Sequence, residues 1–425
     1  MKLYHFHIIP ESAWRTPWQS DTLAGMLCGA IARLEGGDIL RQQVIDPALA
    51  GWPPFVVSDA FPGDWLPVPA FTRLLDWPPD QRKTVNRGRW LCRESFERTQ
   101  RGQSITLQDL INESGFHEAT QLHNTIGRAS NTTSDSGGLY SCEETHLAKG
   151  RNHLTVYVRL DDAFCELFWR AVGELATGGF GADRSAGKGQ FRIEGELEPA
   201  NSLDSVDQPN GLVSLSTFQP NAGDPTIGAW EAFTKYGKLG PEFGLDNIFK
   251  RPLVLFRPGA SFRVNKHRHW LGRAICMKDL LASDAAATLH TQGVEVIHYA
   301  FGLAVPTVWP TCQTPSQLRP PTIAMRSEQP TLSNSASNSA TQRVEVILLE
   351  RMEKTGPIAF RVQEGEKPKG MLNHGTPPNP LPDVGSKVLV YRKTTSNPSS
   401  PNYRWSPTET IGPAKRPDNR GQRRN

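Results

Sequence analysis

At 425 residues the chain is long enough for two or more domains, each with its own core, and no apolar run approaches the roughly 20 residues a membrane helix needs. A mean hydropathy of −0.45 and an N-terminus interrupted by His5, His7 and Pro10 lead to the expectation of a cytoplasmic protein without a membrane partner. The six cysteines stand singly, which argues against a disulfide framework or zinc site and leaves no metal or cofactor expected, and a net charge of +4 is too small by itself to announce a polyanion partner.

The first segment, Lys2 to Ile9, alternates Leu3, Phe6 and Ile8 against Lys2, His5 and His7 with one slip, and predicts a strand. His5 and His7 project to one face of it. They are either a pair able to exchange protons or touch RNA, or simply polar residues on an outer face. Ser20-Asp21 predicts the cap of a helix from Thr22 to Leu34, whose stripe is Leu23, Met26, Leu27, Ala30 and Ile31. Gly51 to Pro69 is Pro-rich and irregular. A basic segment, Gln81 to Arg93, precedes a helical pattern through Ser95 and Leu110. Leu122 to Tyr140 is polar, with Arg128, Ser130, Asn131, Thr132 and Thr133 before a Gly137-Gly138 hinge. It reads as a surface loop or as a hairpin whose hydroxyls and Arg128 meet phosphates and bases. Leu154 to Arg159 reads as a strand.

Next comes the stretch with the densest chemistry, Gly178 to Phe191 (GGFGADRSAGKGQF). Apolar spacing over Asp162 to Leu175 predicts a helix before it, and alternation over Gln190 to Gly195 a strand after it. Gly178, Gly179, Gly181, Gly187 and Gly189 permit positive φ, and successive N–H groups can form an anion-binding concavity beside Arg184, Ser185 and Lys188. A phosphate-binding P-loop is excluded, because Gly181 and Gly187 have five residues between them and Gly189 follows Lys188. The dinucleotide fingerprint is excluded because it runs strand to helix, the reverse of this order. A long tight turn is the remaining alternative.

After a polar linker, Asn201 to Asn210, a second unit begins with a strand, Leu212 to Phe218. A short helix is predicted for Trp230 to Tyr236, and two short strands around the turn Pro258-Gly259. A helix around Met277 to Leu289 and a strand from Val294 to Val305 complete a split βαβ pattern. From Arg319 to Ala340 the composition turns to Ser, Thr, Asn and Pro, a linker. Val344 to Glu350, Ile358 to Val362 and Lys387 to Arg392 read as strands of a small β-barrel, OB- or SH3-like, which binds single strands or docks a protein. The basic tail Lys415 to Asn425 is expected to screen phosphates.

The helix–GxGxxxSxGxG–strand arrangement closely resembles the signature of the RAMP superfamily, the ferredoxin-like RNA-binding subunits of CRISPR effectors. Ser58-Asp59-Ala60-Phe61-Pro62 with Leu66-Pro67-Val68-Pro69, the segment from Asn124 to Tyr140, RPLVLFRPGASF (251–262) and VIHYAFGLAVP (296–306) resemble the motifs of one subtype, the fourth subunit of the type III-A Csm effector. The resemblance covers about residues 1–310 and implies an α+β chain of two ferredoxin-like domains. The expected boundaries are 1–200, with the glycine-rich loop and a thumb-like insertion, and 210–318. A linker at 319–341, a β module at 342–411 and a tail at 412–425 follow.

It further implies a non-catalytic subunit that binds the 5′ handle of the crRNA, docks the large polymerase-like subunit and contacts the backbone RAMP subunit. RNA contacts are expected at Gly178, Gly179, Gly181, Arg184, Ser185, Gly187, Lys188 and Gly189, at Arg128, Ser130 and Asn131, and at His5, His7 and Ser20. Absence of an HExxH, GxSxG or His-Asp pattern favours the non-catalytic reading. A histidine-dependent endoribonuclease that processes repeat RNA is the alternative, as are the equivalent type III-B or III-D subunit and a protein scaffold.

Overall fold

The alternation at the N-terminus yields a nine-residue strand, Lys2–Pro10, with strands on either side of it. In the computed structural model, residues 1–126, 132, 133, 138–240, 243 and 249–310 are described, together with five later strands between Arg343 and Trp405. The order across the first sheet is Phe55–Val57, Leu154–Leu160, Lys2–Pro10, Phe191–Pro199, and each neighbour is antiparallel. Helix Ser20–Glu35 follows the first strand and helix Cys165–Gly178 precedes the last, so each crossing skips one strand. The spacing that predicts these helices also supplies their buried faces: Leu23, Leu27, Ala30 and Ile31 on one, Phe168, Ala171, Val172 and Leu175 on the other. Each larger side chain removed from water contributes about 1.5–3 kcal/mol.

The second sheet runs Gly228–Ala229, Ser261–Arg263, Gly211–Ser214, Ile297–Thr307, Trp270–Cys276. Its last strand in sequence lies directly against Trp270–Cys276, so the order is not that of a split βαβ unit. The helix predicted over Trp230 to Tyr236 is instead a strand, Ala232–Lys235, paired with Leu253–Phe256. Its exposure alternates along the strand, a period of two that the short segment satisfies and a helix would not. The two strands flanking Pro258-Gly259 form, but pair with other partners rather than with each other. Tyr299, Phe301, Leu303 and Val305 join the same core as Phe55 and Phe168, and Tyr299 Oη donates to Phe55 O at 2.6 Å.

The polar stretch after the first domain is also packed: Leu203 is fully buried and Asp204 pairs with Arg159. Residues up to Pro310 form one compact unit, and those from Arg343 a second. Expectations for the linker 319–341 and the tail from residue 412 fall outside the described residues. Among the described residues no helix is long and apolar enough to cross a membrane, and no cluster of side chains is arranged to hold a metal.

The first helix starts differently from its expected cap. Ser20 Oγ donates to Thr217 O at 2.7 Å, while the Ser20 amide donates to Asp59 Oδ1 at 2.9 Å. Asp59 also accepts from Thr217 N and Oγ1, so a carboxylate from a later segment caps the helix and ties it to the second sheet. Burial still pushes the Asp59 pKa up, because those bonds offset only part of the lost hydration. Asp21 beside it is also buried, but hydrogen bonding from His298 and the Lys235 ammonium outweigh that and hold it well below the usual carboxylate range. Lys235 Nζ lies 2.8 Å from Gln19 Oε1 and Asp21 Oδ1.

Burial pulls nearby Lys250 down to about 8 from its ordinary 10.5. Between those values the unfolded chain holds a proton that the folded chain has lost, so this group makes stability rise with pH across that window. Denaturant titrations at intervals from pH 7.5 to 10.5 should show that rise and show it flattened in Lys250→Met; an unchanged profile in the variant would remove Lys250 as its source.

Candidate nucleic-acid interface

Much of the glycine-rich segment is committed to its own subunit. Phe180 is fully buried and stacks on Trp18, ring centroids 3.7 Å apart and planes within 8°. Gly179, Gly181, Gly187 and Gly189 all take positive φ, as expected; Gly178 ends the helix and does not. The reason differs between sites. A Cβ at Gly189 would stand 1.9 Å from the Phe180 carbonyl oxygen and one at Gly181 2.6 Å from Thr16 Cβ, whereas Gly187 faces open space.

The amides are mostly used internally: Phe180 to Gly189 O, Ala182 to Thr16 Oγ1, Gly189 to Ala13 O, Gln190 to Ser12 Oγ, and those of residues 186–188 to the carbonyls of Asp183 and Arg184. An open concavity is therefore confined to the outer turn at Asp183, Arg184 and Ser185. Arg184 forms no ion pair among the described residues. Lys188 does: its ammonium lies 2.7 Å from Glu144 Oε1 and 3.0 Å from Gln121 Oε1, both on the hairpin Phe116–Asn124/Leu139–Leu147. The loop thus braces the hairpin, and only Arg184 is left to meet an anion.

Arg128, Ser130 and Asn131, where RNA contacts are expected, lie outside the described residues. The hairpin arms bear exposed Leu122, Leu139 and Tyr140, with Tyr140 stacked on His123. The predicted thumb is therefore a nine-pair antiparallel hairpin with apolar side chains open to solvent.

His5 and His7 share a face, as the strand period requires, and their rings lie 5.3 Å apart; His7 also meets His153 at 4.6 Å. His5 is buried and 3.7 Å from Glu198, and His7 Nδ1 lies 3.2 Å from Thr155 Oγ1. Burial lowers both pKa values, with the charges of Arg93 and His153 adding to it. Ser20 is likewise buried, its hydroxyl spent on Thr217 O.

The open cationic surface lies elsewhere, in a cleft of about 950 Å3 between the first sheet, the hairpin and the second sheet. Trp90 and Phe116 are its partly exposed aromatics, with Trp14 and Trp18 buried in its lining; Arg73, Arg87, Arg89 and Arg257 line it too, with Asn86 and Asn112. Glu231 neutralises two of these cations, at 3.0 Å from Arg257 and 3.7 Å from Arg73. Arg87 and Arg89 are exposed and unpaired among the described residues. The sequence marks the Arg87–Arg89 cluster as basic but does not place it on a binding surface, because the tryptophans beside it come from residues 14–18, far away along the chain. Trp18 joins the two regions: it lines the cleft and supports Phe180 of the glycine loop.

Solved structures similar to this chain belong to multi-subunit type III CRISPR–Cas complexes, the class whose motifs the sequence resembles. One is a chain of a Csm1–Csm4 cassette in complex with pppApA, 18% identical over 73% of this chain and 99% of that one, with a TM-score of 0.47. A second comes from the Csm3–Csm4 subcomplex of the type III-A interference complex, 11% identical over 72% and 99%, TM-score 0.45. A third, from the type III-B Cmr-beta bound to cognate target RNA and AMPPnP, is 13% identical over 61% and 86%, TM-score 0.35. No protein-family model and no curated protein matches the chain.

Proposed function

We propose that the chain is a non-catalytic RNA-binding subunit of a type III-A CRISPR effector. It holds the 5′ handle of the crRNA and docks the large polymerase-like subunit and the backbone RAMP subunit. The observation that carries this reading is the cleft, whose lining combines unpaired Arg87 and Arg89 with the partly exposed aromatics Trp90 and Phe116. Unpaired nucleotides need both: cations along the phosphates and flat apolar faces for splayed bases. Arg87 and Arg89 neutralise phosphate. Asn86 and Asn112 meet base edges, which is where sequence choice arises. The glycine loop holds the hairpin through Lys188 and Glu144 and offers Arg184 as an outer phosphate contact. Strand order in the first sheet supports reading that domain as ferredoxin-like, and the exposed hairpin residues supply an apolar surface for a neighbouring subunit.

A salt titration of handle-RNA binding tests the assignment. Arg87→Ala/Arg89→Ala should make log K against log salt shallower by about 1.4, the value for two phosphate contacts on a single strand. Arg184→Ala should remove about half as much, and Lys188→Ala nothing directly, since its charge is already neutralised. An unchanged slope in Arg87→Ala/Arg89→Ala would reject the cleft, and one in Arg184→Ala the outer loop contact.

The endoribonuclease alternative draws on the three adjoining histidine rings. Incubation with labelled repeat RNA should give no metal-independent cleavage; cleavage lost in His5→Ala or His7→Ala would overturn the non-catalytic reading.

A further inference from the structure

One carboxylate in the cleft sits where a phosphate could. Glu231 Oε1 accepts from Arg257 Nε at 3.0 Å, and its other oxygen lies 3.7 Å from Arg73 Nη1. A single group thus spans two guanidiniums that are far apart along the chain, and all three residues line the cleft. A phosphodiester likewise presents two anionic oxygens on one centre, and the planar donors of arginine match either group.

The backbones on which these side chains stand are fixed independently of the ion pairs. Arg73 belongs to the short helix Ala70–Leu74, whose Ala70 amide donates to Gly259 O at 2.8 Å and whose Phe71 packs on Trp309. Arg257 follows strand Leu253–Phe256, its amide donates to Glu231 O at 2.9 Å, and its guanidinium lies 4.5 Å over the Phe233 ring. Glu231 stands between Trp230, stacked on Phe256 and Phe262, and Ala232, paired with Phe256. If the carboxylate leaves, both arginines keep their places, and Phe233 still holds Arg257 from below.

The pairs themselves are easily exchanged. Arg73, Arg257 and Glu231 have side-chain exposures of 36%, 47% and 54%, and ion pairs so open to water contribute little. Two guanidiniums against one carboxylate also leave the group net positive. An incoming phosphate replaces one anion by another, and the released carboxylate, already half in solvent, turns outward.

We propose that Arg73 and Arg257 form a second phosphate site of the cleft, kept filled by Glu231 until the backbone of a single-stranded RNA displaces it. This rests on the reading of the cleft as the RNA site. Glu231 then lowers the cleft's attraction for polyanions at large, and the second pair engages only a strand already seated at Arg87, Arg89 and the aromatics. In the native chain the site adds nothing to the salt slope, because the cation released from the phosphate is taken up by the freed carboxylate.

The test is a salt titration of the full chain with fluorescent U12. Glu231→Gln should tighten binding and make log K against log salt steeper by about 1.4, the value for two phosphate contacts on a single strand. Adding Arg73→Ala/Arg257→Ala to that variant should remove the whole increment, whereas the same pair in the native background should leave the slope unchanged. Glu118→Gln is the control, since Glu118 lines the same cleft without an ion pair among the described residues; it should leave the slope as it is. An unchanged slope in Glu231→Gln would overturn the proposal. So would an equal increment in Glu118→Gln, or one that survives loss of both arginines, since either marks a general field rather than a site. A steeper slope in Glu231→Gln with none lost in Arg87→Ala/Arg89→Ala would leave this site standing and reject the other pair, so the two readings fail separately.

Discussion

Gly189→Ala should cost the folded state on the order of 4 kcal/mol or more, whereas Gly187→Ala, only two residues away in the same loop, should cost about 1–2 kcal/mol. Both glycines have φ in the left-handed region, 67° and 78°, so both substitutions incur the conformational penalty. Only at Gly189 does the new methyl meet an immovable atom, the Phe180 carbonyl oxygen at 1.9 Å. That carbonyl belongs to the residue whose ring stacks on Trp18, and the Phe180 amide donates to Gly189 O at 2.8 Å. Relief of the clash therefore means breaking a backbone bond and lifting an aromatic ring out of the core. Urea denaturation followed by far-ultraviolet circular dichroism measures both variants. Equal losses at the two positions would show that the loop is not anchored through Phe180. RNA affinity should fall with stability in the first variant and stay near wild type in the second, since a Cβ at Gly187 would meet nothing within 4 Å.

Asp204→Ala should destabilise the fold by about 3 kcal/mol, the lower end of the range for stranding a buried charge, because the carboxylate itself is about a third exposed. Its partner, Arg159, is fully buried next to the C-terminal end of strand Leu154–Leu160. The guanidinium donates to both Asp204 oxygens and, at 2.9 Å, to Ala304 O of the second sheet, so it joins the two sheets and the segment between them. Removing the carboxylate leaves a cation with one carbonyl for company. Arg159→Met/Asp204→Ala should recover most of the loss, since an apolar pair carries no desolvation penalty. A double variant as unstable as Asp204→Ala would mean that lost packing, not the stranded charge, is responsible.

Most of the local elements are legible in the order of residues alone. Helical spacing over Asp162 to Leu175 describes a segment whose buried face follows the same period, whereas the strand at Lys2 to Ile9 forms but departs from strict alternation, with Leu3, His5, Phe6 and Ile8 all buried and a register shift between His5 and His7. Short segments are not: Trp230 to Tyr236 is too brief for period to separate helix from strand, and pairing with Leu253–Phe256 settles it. The cap at Ser20 escapes local reading because the acceptor, Asp59, arrives from 39 residues away. Along the chain Lys188 is a free cation beside an open loop. Its partner Glu144 lies on a hairpin arm, Leu139–Leu147, beyond the polar stretch that the sequence singles out.

Where strands, helices and tight turns fall is thus set by the spacing of apolar residues and the φ values open to glycine. The same one-dimensional order places the charge, down to the Arg87–Arg89 cluster and the basic loop. Which of those charges stay available to an anion depends instead on the folded arrangement. Folding pairs Lys188 with Glu144 and Arg159 with Asp204, buries His5, and leaves Arg87 and Arg89 exposed beside tryptophans from the other end of the domain. Coulomb attraction and desolvation depend on distance in space, and spacing along the chain does not encode it.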